Sequence, residues 1–502
     1  MKTLADIRCP SRVRLPAGPV SLAFFGVAFA RVWVSLIFVG SGSAAGSGAT
    51  ATVAGDLATG VGSMADLLAG LGAPVPLPHD IFDWGFFALS LVVALAARRL
   101  VPLVERRWAW CGALLSMLAV SVVFSVGLWT GLPGWLRIAC AIVGGCGYGA
   151  YLLLNGEVFA GVSLLRIVLY MAGSRVLSSA LTWVAQACDA PRLAFVLAVM
   201  PLLAVGLSRA ALSTLAPADR QRAGYPRFTF PWKLIALVAV FSFAYGLRQS
   251  TLAGVGAGQH ASLSTGLVMA VVFLGAYFFA DRIDVARLCR LPLPVMLCGL
   301  LLVPAEGLFG DVASSYLVSI GYTLMTLSVG VLLYDMSRRT GVAILPLLAA
   351  NNAMQLFIVL GNYASQAVGQ LAPDASSADL IVTILTCVAL VTSFFLLFSE
   401  RELEARWGIR VLGGASLDEM ARVSDDLSER CDELVRTYGL TPREEEVLRE
   451  LARRRDATAV ARSLTIAPGT LKAHTRHIYE KMNIHTREEL YALLGLQWGP
   501  RE

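Results

Sequence analysis

The chain has 502 residues, of which 56% are hydrophobic and only 15% are charged. Soluble globular proteins carry about 25% charged residues, so this composition excludes a wholly soluble protein. Residues up to about 399 are mostly apolar, whereas 400–502 are rich in Arg, Glu and Asp, which predicts a membrane part followed by a soluble part. The net charge of +6 does not by itself indicate nucleic-acid binding, because cytoplasmic loops of membrane proteins are basic.

The sequence contains no pattern typical of a catalytic or metal site. The nine cysteines are scattered and form no CxxC pair, so we predict neither a disulfide framework nor a metal or cofactor. Gly144, Gly145, Gly147 and Gly149 lie inside an apolar segment, which predicts close helix packing and not a phosphate loop. Walker motifs, nucleophile elbows and carboxylate pairs are absent, so we expect that the protein is not an enzyme.

About twelve segments approach the roughly 20 mostly apolar residues that a helix needs to cross a bilayer. The first is interpreted as a retained helix and not as a signal peptide, because it is long enough to span and no clear cleavage site follows it. The predicted spans are Val20–Gly40, Ile81–Ala97, Trp108–Trp129, Trp135–Asn155, Val162–Gln186, Arg192–Leu212, Trp232–Thr251, Leu263–Ala280, Leu293–Phe309, Ser314–Tyr334, Val342–Val368 and Leu380–Phe398.

Basic residues are concentrated in alternate loops of this predicted bundle. Arg98, Arg99, Arg106 and Arg107 lie between spans two and three, and further basic groups precede span one and follow spans six, eight, ten and twelve. The opposite loops, such as 41–80, contain few basic residues. Because Lys and Arg are retained on the cytoplasmic side, both termini are predicted to face the cytoplasm from the inner membrane of a bacterial cell.

Six spans, a long basic loop and six further spans resemble the major facilitator pattern. The stretch Ala280-Asp281-Arg282, with Arg287 and Arg290 after it, is similar to that family's motif between its second and third helices. It lies at the corresponding place of the second half, while the first-half equivalent, 98–107, lacks the Asp. The resemblance implies a transporter-like fold with a binding site near the bilayer midplane between two halves.

Two arginines and a group of amides lie inside predicted spans. Arg31 and Arg175 fall near the middle of spans one and five, where a charge costs roughly 2.5–3.5 kcal/mol on insertion scales and usually faces a cavity or a partner. Asn351, Asn352 and Gln355 lie in span eleven. We predict that these five residues form a ligand pocket and that the arginines favour an anion such as a carboxylate. The alternative is that these groups only bond one another and helix carbonyls across the bundle.

Residues 400–437 are predicted to form a cytoplasmic linker helix. The apolar residues follow a 3-4 spacing over about three heptads. They are Leu417, Met420, Leu427, Cys431, Leu434 and Tyr438. This face can pair two subunits or pack against the chain's own C-terminal domain, and the sequence leaves both alternatives open.

Residues 438–502 contain the start signals of four short helices. Thr441 with Glu444, and Thr486 with Glu489, have the spacing of capping boxes and predict the starts of the first and fourth helices. Asp456 is a suitable N-cap for the second. Four short helices with a basic third helix are typical of a helix-turn-helix domain whose third helix enters the major groove.

The third predicted helix runs from Pro468 to Met482, with Asn483 as a left-handed cap. The stretches 440–448, 469–474 and 478–482 closely resemble the opening and the recognition helix of the LuxR family. Four residues depart from the family pattern: Arg454 stands for Gly, Thr458-Ala459 for a charged pair, and Ala467 for the Ser that caps the recognition helix. The resemblance covers roughly the last sixty residues and implies double-stranded DNA binding, commonly as a dimer.

The resemblance also implies which side chains contact DNA. By family position, Lys472, Ala473 and Arg476 face base edges, and Lys or Arg pairs well with guanine O6 and N7. The predicted DNA-binding residues, including those that flank this face and reach phosphates or its rim, are Thr470, Lys472, Ala473, His474, Arg476, His477 and Lys481. The alternative is a basic face that is only solvated.

The sequence therefore predicts an all-α protein with three parts. Residues 1–399 form a membrane domain of about twelve spans in a 6+6 arrangement, 400–437 a linker helix, and 438–502 a four-helix LuxR-type domain. We expect a membrane-bound LuxR-family regulator that senses an unidentified small molecule in the bilayer and binds DNA as a homodimer. The alternative is a solute transporter of the major facilitator type that carries a regulatory DNA-binding tail.

Overall fold

A computed structural model of the chain is helical across the parts that it describes. Predictions made for Leu417, Met420, Arg454, Asp456 and Thr458-Ala459, and for the Ala280–Arg282 stretch, lie outside these parts. The described residues are 20–39, 78–130, 133–215, 230–248, 262–279, 285–305, 311–371, 375–398, 427, 430–452, 457, 460–461, 464 and 466–494.

The membrane domain is a bundle of apolar helices. Its helices are α1 Val20–Val39, α2 Pro78–Leu100, α3 Arg107–Thr130, α4 Gly134–Ala160, α5 Leu164–Gln186, α6 Ala190–Thr214, α7 Trp232–Gly246, α8 Ser262–Phe279, α9 Val285–Arg290, α10 Pro292–Leu301, α11 Asp311–Thr340, α12 Ile344–Ala353, α13 Leu356–Leu371 and α14 Ala375–Leu397. Among the described residues, eight helices are long and apolar enough to cross a membrane, and four shorter apolar helices bring the number to the predicted twelve.

The spans form two halves that face each other. Within the first half, α1 packs against α6 and α2 against α4, and within the second half α7 packs against α13 and α10 against α11. The two halves meet where α5 contacts α8 and where α2 contacts α12. Large apolar side chains such as Leu95 (81% exposed) and Trp135 (70% exposed) cover the outside of the bundle, as lipid contact requires.

Span eleven, predicted as the single segment Val342–Val368, is broken into α12 and α13. The amides of Gln355 and Phe357 bond to the carbonyls of Asn352 and Met354, so the chain tightens into a turn between the two helices. Backbone that is not helical is tolerated at membrane depth only where protein or a cavity satisfies it. The break therefore indicates a polar cavity at this level.

Span nine also differs from the predicted Leu293–Phe309. Helix α10 ends at Leu301 and is followed by the short 3-10 turn Val303–Ala305. Pro304 has no amide hydrogen for a helical bond, which explains why the helix does not continue through it.

The C-terminal domain has its own apolar core. Its helices are α15 Pro442–Ala452, α16 Pro468–Met482 and α17 Arg487–Leu493, and the described residues 457 and 460–461 are also helical. Val447, Leu448, Ile478 and Leu490 are completely buried in this core. Residues 430–438 are helical as well, and Cys431 and Leu434 pack into the same core. The described part of the linker thus packs against its own domain, which was one of the two alternatives.

Glycines bring α2 and α4 into backbone contact, as the sequence predicted for the Gly144–Gly149 segment. A Cβ atom added at Gly145 would lie 2.0 Å from the carbonyl oxygen of Phe82, and one added at Gly85 would lie 2.3 Å from that of Ile142. Small residues of this kind allow helices to approach closely inside a membrane. The prediction of packing glycines is confirmed.

We predict that Gly145→Ala destabilises the bundle while Gly112→Ala does not. The new methyl group at Gly145 must push α2 away, and overpacking of this kind costs about 1–3 kcal/mol. Gly112 has open space around its Cα, so alanine there should be neutral or should stabilise α3 through its helix propensity. Thermal unfolding of the purified protein in detergent measures both, and equal unfolding temperatures for the two variants would contradict the packing.

Candidate functional site

A cavity of about 180 Å³ lies between the two halves of the membrane domain. All five residues predicted for the ligand pocket line it. Arg31 comes from α1, Arg175 from α5, Asn351 and Asn352 from α12, and Gln355 from the break in span eleven. The structure therefore brings together residues that are up to 324 positions apart, since the set runs from 31 to 355 in the chain.

Among the described residues that line the cavity, the charged ones are two arginines and one aspartate. Arg31 and Arg175 lie close enough to repel each other, and Asp83 is the lining carboxylate. The Nε atom of Arg31 is buried without a hydrogen-bond partner among the described residues. Because two cations face one anion, the cavity holds an excess of positive charge that is suited to an anionic guest.

Hydrogen bonds fix the polar wall formed by α4. Asn155 donates from Nδ2 to Ser208 Oγ at 2.7 Å, and the Tyr151 hydroxyl lies 2.9 Å from the same oxygen. The Oδ1 atoms of Asn155 and Asn351 are buried and have no hydrogen-bond partner among the described residues. The cavity therefore presents acceptors as well as cations.

Sequence reasoning missed several residues that line the cavity. Asp83 was visible as a lone carboxylate in an apolar span, and Asn155 lay at the predicted end of span four. The aromatic and hydroxyl residues gave no signal, because such residues are common in any span. The polar and aromatic residues that were missed are Phe82, Asp83, Phe86, Tyr148, Asn155, Phe159, Ser174, Thr265, Tyr322, Thr323, Thr326 and Tyr334.

The second candidate site is the outer face of α16. Leu471, Ile478 and Met482 turn into the core, as predicted from their spacing. Ala467 stands at the N-cap and makes no side-chain bond, and Asn483 closes the helix in the left-handed region at φ 52°. Both ends therefore behave as their residue types predict.

Most of the predicted DNA-contacting side chains share this outer face. His474 is half-buried, and the exposed residues are Thr470, Lys472, Ala473, Arg476, His477 and Lys481. Arg476 forms an exposed ion pair with Glu480 at 2.9 Å. Because exposed pairs of this kind contribute little to stability, the Arg476 side chain can leave Glu480 at low cost.

Lys481 is held inside its own domain by contacts that sequence reasoning missed. Its Nζ donates to Glu444 Oε2 at 2.6 Å and to the Gly439 carbonyl at 3.3 Å. Glu444 also accepts from the amide and the hydroxyl of Thr441, which confirms the predicted capping box of α15. These bonds give Lys481 a structural role in joining α16 to the start of α15.

The carboxyl of Glu444 is only 5% exposed, and its pKa is shifted accordingly. Burial disfavours the charged form, but the bonds from Lys481 and Thr441 outweigh it and lower the pKa to about 2. At neutral pH the carboxylate is therefore ionised, and its Oε2 atom accepts bonds from Thr441 and Lys481.

The fourth helix begins as predicted. The Thr486 hydroxyl accepts from the Glu489 amide at 3.2 Å, and Glu489 accepts from the His485 amide at 2.8 Å. With this helix the domain has the order of helices expected of a helix-turn-helix fold.

Residues 439–494 match the family model of bacterial regulatory proteins of the luxR family. The C-terminal domain is a LuxR-type helix-turn-helix domain.

Solved structures with a similar fold cover about three quarters of the chain. The proton:xylose symporter XylE of the major facilitator superfamily, bound to 6-bromo-6-deoxy-D-glucose, is 13% identical over 78% of this chain and 98% of its own, with a TM-score of 0.50. A bacterial homologue of the iron transporter ferroportin, outward-facing with soaked iron, is 13% identical over 74% and 98%, also with a TM-score of 0.50. At this identity the comparison establishes the major-facilitator-like fold alone.

Comparison with curated proteins gives no match. The LuxR-type domain and the transporter-like bundle together identify a fusion of a DNA-binding module with a multi-pass membrane domain.

We predict that the C-terminal domain loses stability in acid through Glu444. Because the folded pKa of about 2 lies below the ordinary value of 4.5, this stabilisation is complete above about pH 4.5 and is lost as the pH falls towards 2. Glu444→Gln should remove this pH dependence and lower stability by about 2 kcal/mol, a typical contribution of hydrogen bonds to a charged group.

The measurement is hydrogen exchange of α15 and α16 in the full chain, corrected for the intrinsic effect of pH. Glu488→Gln is the control, because Glu488 is exposed in the first turn of α17. Equal acid sensitivity of wild type and Glu444→Gln would show that Glu444 does not carry the effect.

Proposed function

We propose that the protein is a membrane-bound transcription regulator in which a small anion, bound in the cavity, controls DNA binding by the LuxR-type domain. The observation that carries this proposal is the presence, in one chain, of a DNA-binding domain and a bundle with an arginine-lined central cavity. The regulator lies in the bacterial inner membrane with both termini in the cytoplasm, where the DNA is.

The lining of the cavity defines the class of ligand. Arg31 and Arg175 recognise a carboxylate or a similar anion, and the free acceptors of Asn155 and Asn351 favour a ligand that also carries a hydroxyl or ammonium group. A cavity of roughly 150 Å³ can hold benzene, so about 180 Å³ suits a small molecule. We therefore propose a small organic acid with at least one hydrogen-bond donor.

The exposed face of α16 reads the DNA. Lys472 and Arg476 are four residues apart on this face and reach base edges, while Thr470, His474 and His477 contact phosphates or the rim of the groove. A single face of this size reads a short half-site, and LuxR-type domains commonly bind as dimers. We therefore propose a homodimer on a palindromic site.

We predict that Lys472→Ala and Arg476→Ala each remove sequence preference. Loss of a bidentate contact with guanine costs about 1–3 kcal/mol of discrimination. The assay selects duplexes from a random library with the full chain in nanodiscs and then measures the affinity for the selected and for scrambled duplexes at fixed salt.

Glu488→Ala, on α17, is the control and should bind as the wild type does. The assignment of the recognition face to α16 is contradicted if the two α16 variants still prefer the selected duplex to the same extent as the wild type.

We predict that Arg31→Gln and Arg175→Gln abolish ligand binding and leave DNA binding intact. Small organic acids are screened for an increase in the unfolding temperature of the full chain, since a ligand at 100 times its Kd stabilises by about 2.7 kcal/mol. Arg192→Gln is the control, because Arg192 is 77% exposed and pairs with Asp189 outside the cavity. Stabilisation by cations alone, or an unchanged response of both cavity variants, would refute the anion site.

The transporter-like fold supports a second function, the transport of a solute by a carrier that also regulates genes. Both functions use the same cavity, so binding alone does not separate them. Uptake of the identified acid into proteoliposomes does: accumulation or exchange of the labelled acid supports the carrier, whereas binding without flux supports the sensor.

A further inference from the structure

Residues 447–452, the C-terminal part of helix α15 of the DNA-binding domain, are all buried. Val447, Leu448 and Leu451 face the core of the domain. Arg449 and Glu450, which lie on the polar side, are each only 8% exposed. A helix at the edge of a small domain leaves its polar side in water, so another part of the chain must cover α15.

The membrane domain provides part of this cover. Helix α11 contacts α15, and the turn that ends α11 lies against the Arg449 side chain. A Cβ atom added at Gly341 would lie 3.1 Å from Cδ and 3.3 Å from Nε of Arg449. Gly341 also has φ +68°, a conformation that glycine adopts without strain. Both the backbone and the neighbour therefore favour glycine at this position.

Arg449 joins three elements at this contact. Its guanidinium bonds to Asp432 in the linker helix at 2.5 Å and to Glu445 in α15 at 2.9 Å and 3.1 Å. The same side chain lies on the turn at Gly341. The linker, the DNA-binding domain and the membrane domain are thus held together at a single buried cation.

Internal hydrogen bonds hold the turn in its shape. Ser337 Oγ donates to the Val342 carbonyl at 2.6 Å, and the Val342 amide donates to Thr340 Oγ1 at 3.3 Å. Helix α12 follows directly at Ile344 and carries Asn351 and Asn352 into the cavity. One short helix, α12, therefore connects the turn at Gly341 to the cavity.

We infer that the turn 341–343 is a docking surface for the DNA-binding domain of the same chain, and that docking keeps this domain off DNA. The inference rests on the DNA binding proposed above. The docked domain lies against a bundle whose cytoplasmic side adjoins the anionic inner leaflet, which repels the phosphates of a duplex. Docking also holds the DNA-binding domain of each chain against its own membrane domain. This opposes the pairing of two DNA-binding domains on a two-fold symmetric DNA site.

The test compares Gly341→Leu with Gly439→Leu in the full chain in nanodiscs. Both glycines have positive φ, +68° and +60°, so leucine causes similar backbone strain at either position. Only Gly341 has a neighbour to displace, because nothing lies within 4 Å of a Cβ atom at Gly439. Leucine has no charge or hydrogen-bonding group that could replace the lost contact with Arg449.

Gly341→Leu should bind a selected duplex at least about 5-fold more tightly than the wild type, the lower end of typical coupling between two sites. Gly439→Leu should bind as the wild type does. The inference is overturned if both variants bind the duplex with the affinity of the wild type. It is also overturned if both variants change that affinity by the same factor. If no form of the full chain prefers any duplex, the proposed DNA binding fails instead.

A second measurement uses the wild type and so does not depend on the folding of a variant. Hydrogen exchange of residues 336–348 should rise when a saturating duplex is added, because DNA-bound domains leave the turn uncovered. Exchange in the loop 101–106, in which Val104 bonds to Glu157 and Trp110 of the membrane domain, serves as the control. Unchanged exchange at 336–348 with the duplex bound overturns the inference.

Discussion

A guanidinium group inside a membrane must be solvated by protein. This membrane domain contains two such groups, and they require polar atoms around its central cavity. Arg31 and Arg175 lie in the middle of apolar helices and repel each other across one cavity. An arrangement of this kind is costly unless polar groups or a guest surround the charges. The polar wall of α4 and the break in span eleven at Gln355 both serve this need, since each brings polar atoms to the same depth.

Five basic residues of the protein lie in three environments that have different consequences. Lys481 and Arg449 are bonded to carboxylates within the C-terminal domain, so they hold that domain together. Lys472 and Arg476 are exposed on α16 and are available for DNA. Arg31 retains a buried nitrogen without a partner among the described residues, which is the environment expected for ligand recognition. Charge alone therefore does not distinguish these roles, whereas burial and pairing do.

The sequence predicts most of the architecture, because apolar length and capping residues act locally. The twelve spans, the capping boxes at Thr441 and Thr486 and the left-handed Asn483 all follow from such local rules. The break at Met354 and Gln355 does not, since its apolar flanks resemble those of a continuous span. The tie between Lys481 and Glu444 was also missed, because the order of contacts between helices depends on packing that no single segment encodes.

The break in span eleven also affects how a ligand in the cavity can act on the contact between Gly341 and the DNA-binding domain. A continuous span of about 25 residues would be held along its whole length by the bundle. The break leaves α12 as a separate unit of 10 residues, about 15 Å long, with Asn351 and Asn352 near one end and the turn at Gly341 beside the other. A ligand that binds more tightly when α12 is in one position than in another shifts the equilibrium between the two positions. The free energy of that shift, and so its effect on the docking turn, equals the difference in binding free energy and is no larger. Because Arg449 rests on that turn, a displacement that is small compared with a side chain is enough to alter the contact.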